Sequence, residues 1–101
     1  MSDKAAVSYA YIDRMREGDY YRATQLSRQM LERFGDVMRH HEMMLVINMR
    51  RENIAAALEN CNELIEYGQR NGFAVSEHEV NRAALLRRLE KTRGFLAHGL
   101  W

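Results

Sequence analysis

Residues that end and restart α-helices recur at short intervals, and this feature limits the chain to a series of short helices. A glycine suits the left-handed residue at the end of a helix, and an aspartate or serine after it can cap the next one. These positions are Gly18-Asp19, Gly35-Asp36, Gly68, Asn71-Gly72 and the capping box from Ser76 to Glu79.

The segments between these positions have apolar residues at helical spacing. We expect helices at about residues 3–17, 20–34, 37–51, 53–67 and 76–96. Met43 to Ile47 could form a short strand on its pattern alone, but no second strand is available to pair with it. Residues 43–49 are apolar around almost the whole helix, which predicts that the third helix is central. The sequence therefore predicts an all-α fold of about five helices.

Length and composition narrow the class of protein. The chain has 101 residues, 47% of them hydrophobic, no proline and a net charge of +1, which fits one globular domain over residues 1–101. Cys61 is the single cysteine, so no disulfide forms within the chain. The longest apolar run is far shorter than a membrane helix, and the start of the chain has no signal-peptide pattern. We expect a cytoplasmic protein with no membrane association.

The sequence matches itself when it is shifted by 34 residues. Aligned pairs include Ile12 with Val46, Met15 with Met49, Arg16 with Arg50, Tyr20 with Ile54, Ala23 with Ala57, Met30 with Leu64 and Leu31 with Ile65. This period and the helix-turn-helix content resemble the tetratricopeptide repeat (TPR). The stretch from Glu17 to Ala23 is similar to that family's turn between its two helices, and Arg51 to Ala57 stands at the equivalent place.

The resemblance implies two antiparallel helical hairpins, at residues 4–37 and 38–71, and a capping helix at about 76–97. The first helices of the hairpins would form a shallow groove for a helix or an extended peptide of another protein. We expect Arg16 and Arg50 to select acidic neighbours in that partner. The predicted groove residues are Tyr9, Ile12, Arg16, Met43, Ile47 and Arg50. Small TPR-like proteins often act as adaptors or chaperones, including those of type III secretion subunits.

Residues with catalytic or metal-binding potential do not form a recognisable motif. Zinc binding on one helix requires two histidines four residues apart, but Leu45 stands where the second ligand after His41 should be. The neighbouring His40 points about 100° away from His41. Cys61 belongs to an apolar stripe, where a cysteine behaves as a small hydrophobic residue. We therefore expect no enzyme activity, no metal and no cofactor.

An alternative function uses the basic residues of the last helix. Arg87, Arg88 and Lys91 fall on neighbouring positions of one face, which is suited to phosphate groups or an acidic partner. A small nucleic-acid-associated regulator is therefore a second hypothesis. The same residues would also be expected on a helix face that is simply solvated.

The end of the chain, residues 95–101, is apolar. Its large side chains are Phe95, Leu96, Leu100 and Trp101. Exposed together, they would form an apolar patch of the kind that marks a docking site. This tail either folds back over the repeats or docks into a partner or a second copy of the chain. A homodimer formed through the tail is therefore a third hypothesis.

Overall fold

The computed structural model of the chain describes the backbone of residues 3–99 and the side chains of residues 3–92. It contains the five helices α1 (Asp3–Glu17), α2 (Tyr20–Phe34), α3 (Val37–Arg50), α4 (Ile54–Asn71) and α5 (Ser76–Gly99). No β-strand occurs between residues 3 and 99. The predicted all-α class is confirmed, and so is the number of helices.

The first four helices are joined by short connections of the same kind, 17 residues apart. Each connection has one left-handed residue followed by an N-cap whose side-chain oxygen accepts a hydrogen bond from the backbone N–H three residues later. The left-handed residues are Gly18, Gly35 and Glu52, with φ of 72°, 61° and 57°, and the caps are Asp19, Asp36 and Asn53. The repeated spacing gives α2 and α3 nearly equal lengths.

The fourth helix is longer than the sequence predicted. It continues through Gly68 to Asn71, so the expectation that it ends near Tyr67 is wrong. Gly68 is buried, and a Cβ atom there would overlap the Cγ1 methyl of Val75 and lie 3.4 Å from the carbonyl oxygen of Phe73. This glycine therefore allows the connection to α5 to pass close to α4, and it does not end the helix.

Successive helices reverse direction and pack on each other. Arg33, near the end of α2, lies 3.4 Å from the carboxylate of Asp3 at the start of α1. Lys4 forms an ion pair with Asp36, the cap of α3, so α1 and α3 begin side by side. The third helix contacts both α2 and α4, which confirms its predicted central place.

The buried side chains among residues 3–92 form three small clusters instead of one large one. Two of them are shared by α1, α2 and α3, and the third joins α3, α4 and α5. Their buried members are Val7, Met30 and Met43; Met15, Ala23 and Ile47; and Leu45, Ala57, Cys61, Leu64 and Leu85. The predicted core position of Cys61 is confirmed, since its side chain is fully buried.

Residues 34 positions apart often have similar burial. Buried pairs are Ala23 with Ala57, Ser27 with Cys61 and Met30 with Leu64, and exposed pairs are Ile12 with Val46 and Arg16 with Arg50. The correspondence fails for Leu31, which is exposed whereas Ile65 is buried, and for Met15, which is buried whereas Met49 is exposed. The hairpin α1–α2 and the hairpin α3–α4 therefore share much of their packing pattern.

The described part of the molecule is a thin slab of 57 × 35 × 18 Å. A thickness of 18 Å corresponds to about two layers of helices, because one helix with its side chains is about 10 Å across. Each helix therefore keeps one side near solvent. None of the described helices combines the length and the apolar content needed to cross a bilayer.

Candidate partner-binding groove

A shallow groove of about 360 Å³ runs between α1 and α3. Ile12 is 43% exposed on one wall, and Val46 is 40% exposed on the other. The groove is lined by Ser8, Tyr11, Ile12, Arg39, Glu42, Met43 and Val46. Exposed aliphatic side chains on two facing walls can cover the apolar side of a peptide.

Helical spacing places these residues on the groove. Ser8 and Ile12 are one turn apart on α1, and on α3 Arg39, Glu42 and Val46 follow at intervals of three and four residues. The phenol of Tyr11 donates a hydrogen bond across the groove floor to the carbonyl oxygen of Met43, at 3.2 Å. This contact fixes the separation of α1 and α3.

The groove is flanked by positive charge. Arg16, Arg39 and Arg50 are exposed, and none of the described carboxylates lies within ion-pair distance of them. Burial raises the pKa of Tyr11, and the charges of Arg50 and Arg39 only partly oppose this shift. The phenol therefore stays protonated near neutral pH and remains a hydrogen-bond donor. Glu42 is the one acidic side chain on the groove walls.

The residues predicted for the groove are only partly brought together. Ile12 and Met43 line it, although Met43 is 4% exposed and contributes mainly to the core. Tyr9, Arg16 and Arg50 are exposed on the same two helices but are not part of its lining. The sixth residue, Ile47, is fully buried, so its assignment to the groove is wrong. Its side chain packs with Met15 and Ala23.

Sequence reasoning missed several groove residues, chiefly Val46, Arg39 and Tyr11. The signal for Val46 was present, because the 34-residue shift aligns it with Ile12. In an apolar run from Met43 to Ile47, hydrophobicity does not distinguish the exposed residue from the buried one. The repeat register does not make that distinction either, because it aligns the buried Met43 and Ile47 with the exposed Tyr9 and Asp13.

A larger depression of about 510 Å³ lies beside the start of α2. It is lined mainly by polar or small residues, and the side chain of Tyr21 is the most exposed aromatic group there. The lining is Gly18, Asp19, Tyr20, Tyr21, Thr24, Gln25, Arg28 and Arg51. Because it has no aliphatic side chain, it is less suited to an amphipathic partner than the α1/α3 groove.

A serine and a histidine lie together between α2 and α3. Nδ1 of His40 is 3.0 Å from both the hydroxyl and the carbonyl oxygen of Ser27, and the hydroxyl donates to the carbonyl oxygen of His40 at 3.1 Å. The Ser27 carbonyl can only accept, so Nδ1 carries a proton and cannot act as the base for this serine. Ser27 is also fully buried, and the pair therefore ties two helices together.

A second group of polar side chains connects α3 with α4. The amide of Asn48 donates to the side-chain oxygen of Asn60 at 2.7 Å, and the Asn60 amide nitrogen lies 3.4 Å from Nδ1 of His41. Burial lowers the pKa of His41, the nearby His40 lowers it further, and Glu63 acts in the opposite direction. His40 and His41 are both half-buried, and each is hydrogen-bonded to a neighbouring helix.

The remaining candidate residues lie apart from the groove. Burial raises the pKa of the Cys61 thiol, and the charge of Arg82 only partly opposes this, so the sulfur is not activated as a thiolate. Among the described side chains, no three His, Cys, Asp or Glu residues come together as metal ligands. Arg87, Arg88 and Lys91 are exposed on α5. The tail residues Phe95, Leu96, Leu100 and Trp101 lie outside the described side chains.

Comparisons with protein-family models, with curated proteins and with solved structures find no match to this chain.

Proposed function

We propose that the protein is a non-catalytic protein–protein interaction module that binds an amphipathic helix or an extended peptide along the α1/α3 groove. The observation that carries this proposal is the pair Ile12 and Val46. These aliphatic side chains are 43% and 40% exposed on facing walls, and no other described side chain covers them. Exposed aliphatic side chains that face each other across a groove are typical of a site that another protein buries.

The groove supplies both affinity and selectivity. Burial of Ile12 and Val46 provides the apolar contribution to binding. The guanidinium groups of Arg16, Arg39 and Arg50 form no ion pair with a described carboxylate, although the charge of Arg39 also acts on Asp36. They favour a peptide with acidic residues beside its apolar ones. The affinity of one such shallow groove is expected to be moderate, because the area is small.

We further propose that the two hairpins are divergent TPR-like repeats and that the protein serves as a small adaptor or chaperone in the cytoplasm. The 34-residue pairing of buried Ala23 with Ala57 supports the repeat, since a small side chain there lets two helices approach closely. The lone cysteine is compatible with a reducing compartment.

The test is photo-crosslinking from two positions of the intact protein in cells. A photoreactive phenylalanine analogue replaces Ile12 in one variant and Tyr21 in the matched control, since Tyr21 is exposed but outside the α1/α3 groove. We expect one dominant protein to be crosslinked from position 12 and not from position 21. The crosslinked peptide should be amphipathic and acidic.

A binding measurement with that crosslinked peptide completes the test. Val46→Asp removes apolar area from the groove wall and puts a carboxylate beside the acidic peptide, so it should weaken binding at least about tenfold. Tyr21→Asp is the control and should leave the dissociation constant unchanged. Equal binding by both variants, or crosslinking only from position 21, would rule out the α1/α3 groove as the site.

A second candidate function is binding of nucleic acid by the basic residues of α5. The exposure of Arg87, Arg88 and Lys91 favours it. Phosphate contacts are strongly weakened by salt, whereas an apolar groove is much less sensitive. Binding of a short duplex or single strand at low salt, lost at moderate salt and in Arg87→Glu/Arg88→Glu, would support this function.

A further inference from the structure

The last helix has an apolar side that no described part of the chain covers. Leu85 is buried against α4, but Val80 is 67% exposed and Leu86 is 39% exposed. Ala83 and Ala84 are also exposed. Val80, Ala83 and Ala84 follow the spacing of a helix packing face, which is centred roughly opposite Leu85 and continues to Arg87. Each earlier helix packs on the next one, whereas the described structure ends with α5.

The charges along this helix are arranged with opposite signs at its two ends. Its first turn carries Glu77 and Glu79. Beyond the apolar stretch come the exposed Arg87, Arg88 and Lys91, with Glu90 as one opposing charge. None of these acidic or basic side chains forms an ion pair with another described residue. The described helix is therefore acidic, then apolar, then basic.

We propose that the uncovered side of α5 binds the same side of α5 in a second copy of the chain, with the two helices antiparallel. A twofold axis near Ala83 and Ala84 would place the acidic first turn of each copy beside the basic residues of the other. The complementary contact then occurs twice, and a parallel arrangement would bring like charges together. The small side chains at the centre allow the two helices to approach closely.

This interface is separate from the α1/α3 groove. None of the groove residues belongs to α5, so the dimer would present two grooves at once. Two linked grooves bind a partner with two matching segments more tightly than one groove does. The dimer does not depend on the proposed partner-binding function.

The first test is sedimentation equilibrium of the full-length protein over a range of concentrations. The expected result is a reversible monomer–dimer equilibrium. Ala84→Glu, which brings two carboxylates together at the twofold axis, should raise the dimer dissociation constant at least about tenfold. Val46→Glu is the matched control, because Val46 is also exposed but lies in the groove, and it should leave the equilibrium unchanged.

The second test uses charge reversal and does not depend on the folding of one variant. An acidic variant carries Arg87→Glu and Arg88→Glu, and a basic variant carries Glu77→Arg and Glu79→Arg. Each alone should dimerise at least about tenfold more weakly, since like charges then face each other at both ends. Mixing the two variants should restore association, because every end then faces the opposite charge.

Three results would overturn the proposal. The full-length protein could remain monomeric at high concentration, as it would if its tail covered α5 or if this helix binds only nucleic acid. Ala84→Glu could dimerise as well as the wild type, which would place the interface elsewhere. The acidic and basic variants could also fail to associate with each other when both are folded by circular dichroism.

Discussion

The interface between α2 and α3 differs from the interface between α4 and α5 in the kind of contact that defines it. Between α2 and α3, Ser27 and His40 exchange hydrogen bonds inside the core. Between α4 and α5, the main contacts are apolar instead. Leu85 inserts into the cluster on α4, and the connection to α5 passes close to Gly68. The one described side-chain hydrogen bond there, from Arg82 to Asn62, is exposed.

The two kinds of contact differ mainly in how strictly they fix the alignment of two helices, and less in how much they stabilise the fold. A buried hydrogen-bonded pair permits only one alignment of two helices, because any slip leaves polar groups without partners. Apolar contacts tolerate small shifts, so a contact such as that of Leu85 fixes the alignment less strictly. We conclude that the first three helices form the well-defined part of the fold and that α5 is added to it.

The largest effect is expected in the core that the first three helices share. Ile47→Ala removes a fully buried side chain and should lower the free energy of unfolding by about 2–4 kcal/mol. Val46→Ala, on the neighbouring exposed position, should change it by less than about 0.5 kcal/mol. Urea denaturation measures both, and similar losses would contradict the division between core and groove.

The second-largest loss of stability is expected where the connection to α5 packs on α4. Gly68→Ala should destabilise the protein by about 1–3 kcal/mol, because the added Cβ overlaps the Cγ1 methyl of Val75. Alanine would otherwise stabilise a helix interior by about 1 kcal/mol relative to glycine. Thermal denaturation of Gly68→Ala/Val75→Ala is the control, since removal of that methyl should recover much of the loss. A stabilising Gly68→Ala would contradict the close approach.

A smaller loss of stability is expected when the polar contact between α2 and α3 is removed. Ser27→Ala removes the hydroxyl that donates to the His40 carbonyl and should cost about 1–2 kcal/mol. Thr24→Ala is the matched control, because the Thr24 hydroxyl bonds only to Tyr20 within its own helix. It should cost less than Ser27→Ala in urea denaturation. Equal losses would mean that the contact between the helices adds nothing specific.

The smallest expected effect is a change of stability with pH. Burial lowers the pKa of His41 below 6.5, so the unfolded chain takes up this proton at a higher pH than the folded one. Stability should therefore fall as the pH decreases from about 6.5 towards the folded pKa, and it should be constant above that window. Denaturation midpoints between pH 5 and 8 measure the slope. His41→Asn should flatten it, and an unchanged slope would assign the effect to another group.

The sequence predicted the helices well because the connections are local. A left-handed residue and an adjacent cap determine where a helix ends, and both can be read from two neighbouring residues such as Gly18 and Asp19. Gly68 misled because its role depends on Val75, which approaches it only in the folded chain. Glycine therefore has two roles in this chain, ending a helix and allowing close packing, and the sequence alone does not distinguish them.

The groove was predicted less well, for a related reason. On a helix covered from several sides, hydrophobicity does not tell which apolar residue faces solvent, and Ile47 was chosen where Val46 is exposed. The polar contacts of His40 and His41 were missed because each needs a partner from another helix. Burial and hydrogen bonding between helices are properties of the assembled fold.

The division of the core into three clusters has a consequence for motion. Among its described side chains, α5 contributes Leu85 to one cluster and nothing to the two shared by α1, α2 and α3. It can therefore detach in a local opening that leaves the first hairpin and α3 intact. Its backbone amides should exchange with deuterium sooner than those of α2 and α3, which open only when the molecule unfolds as a whole.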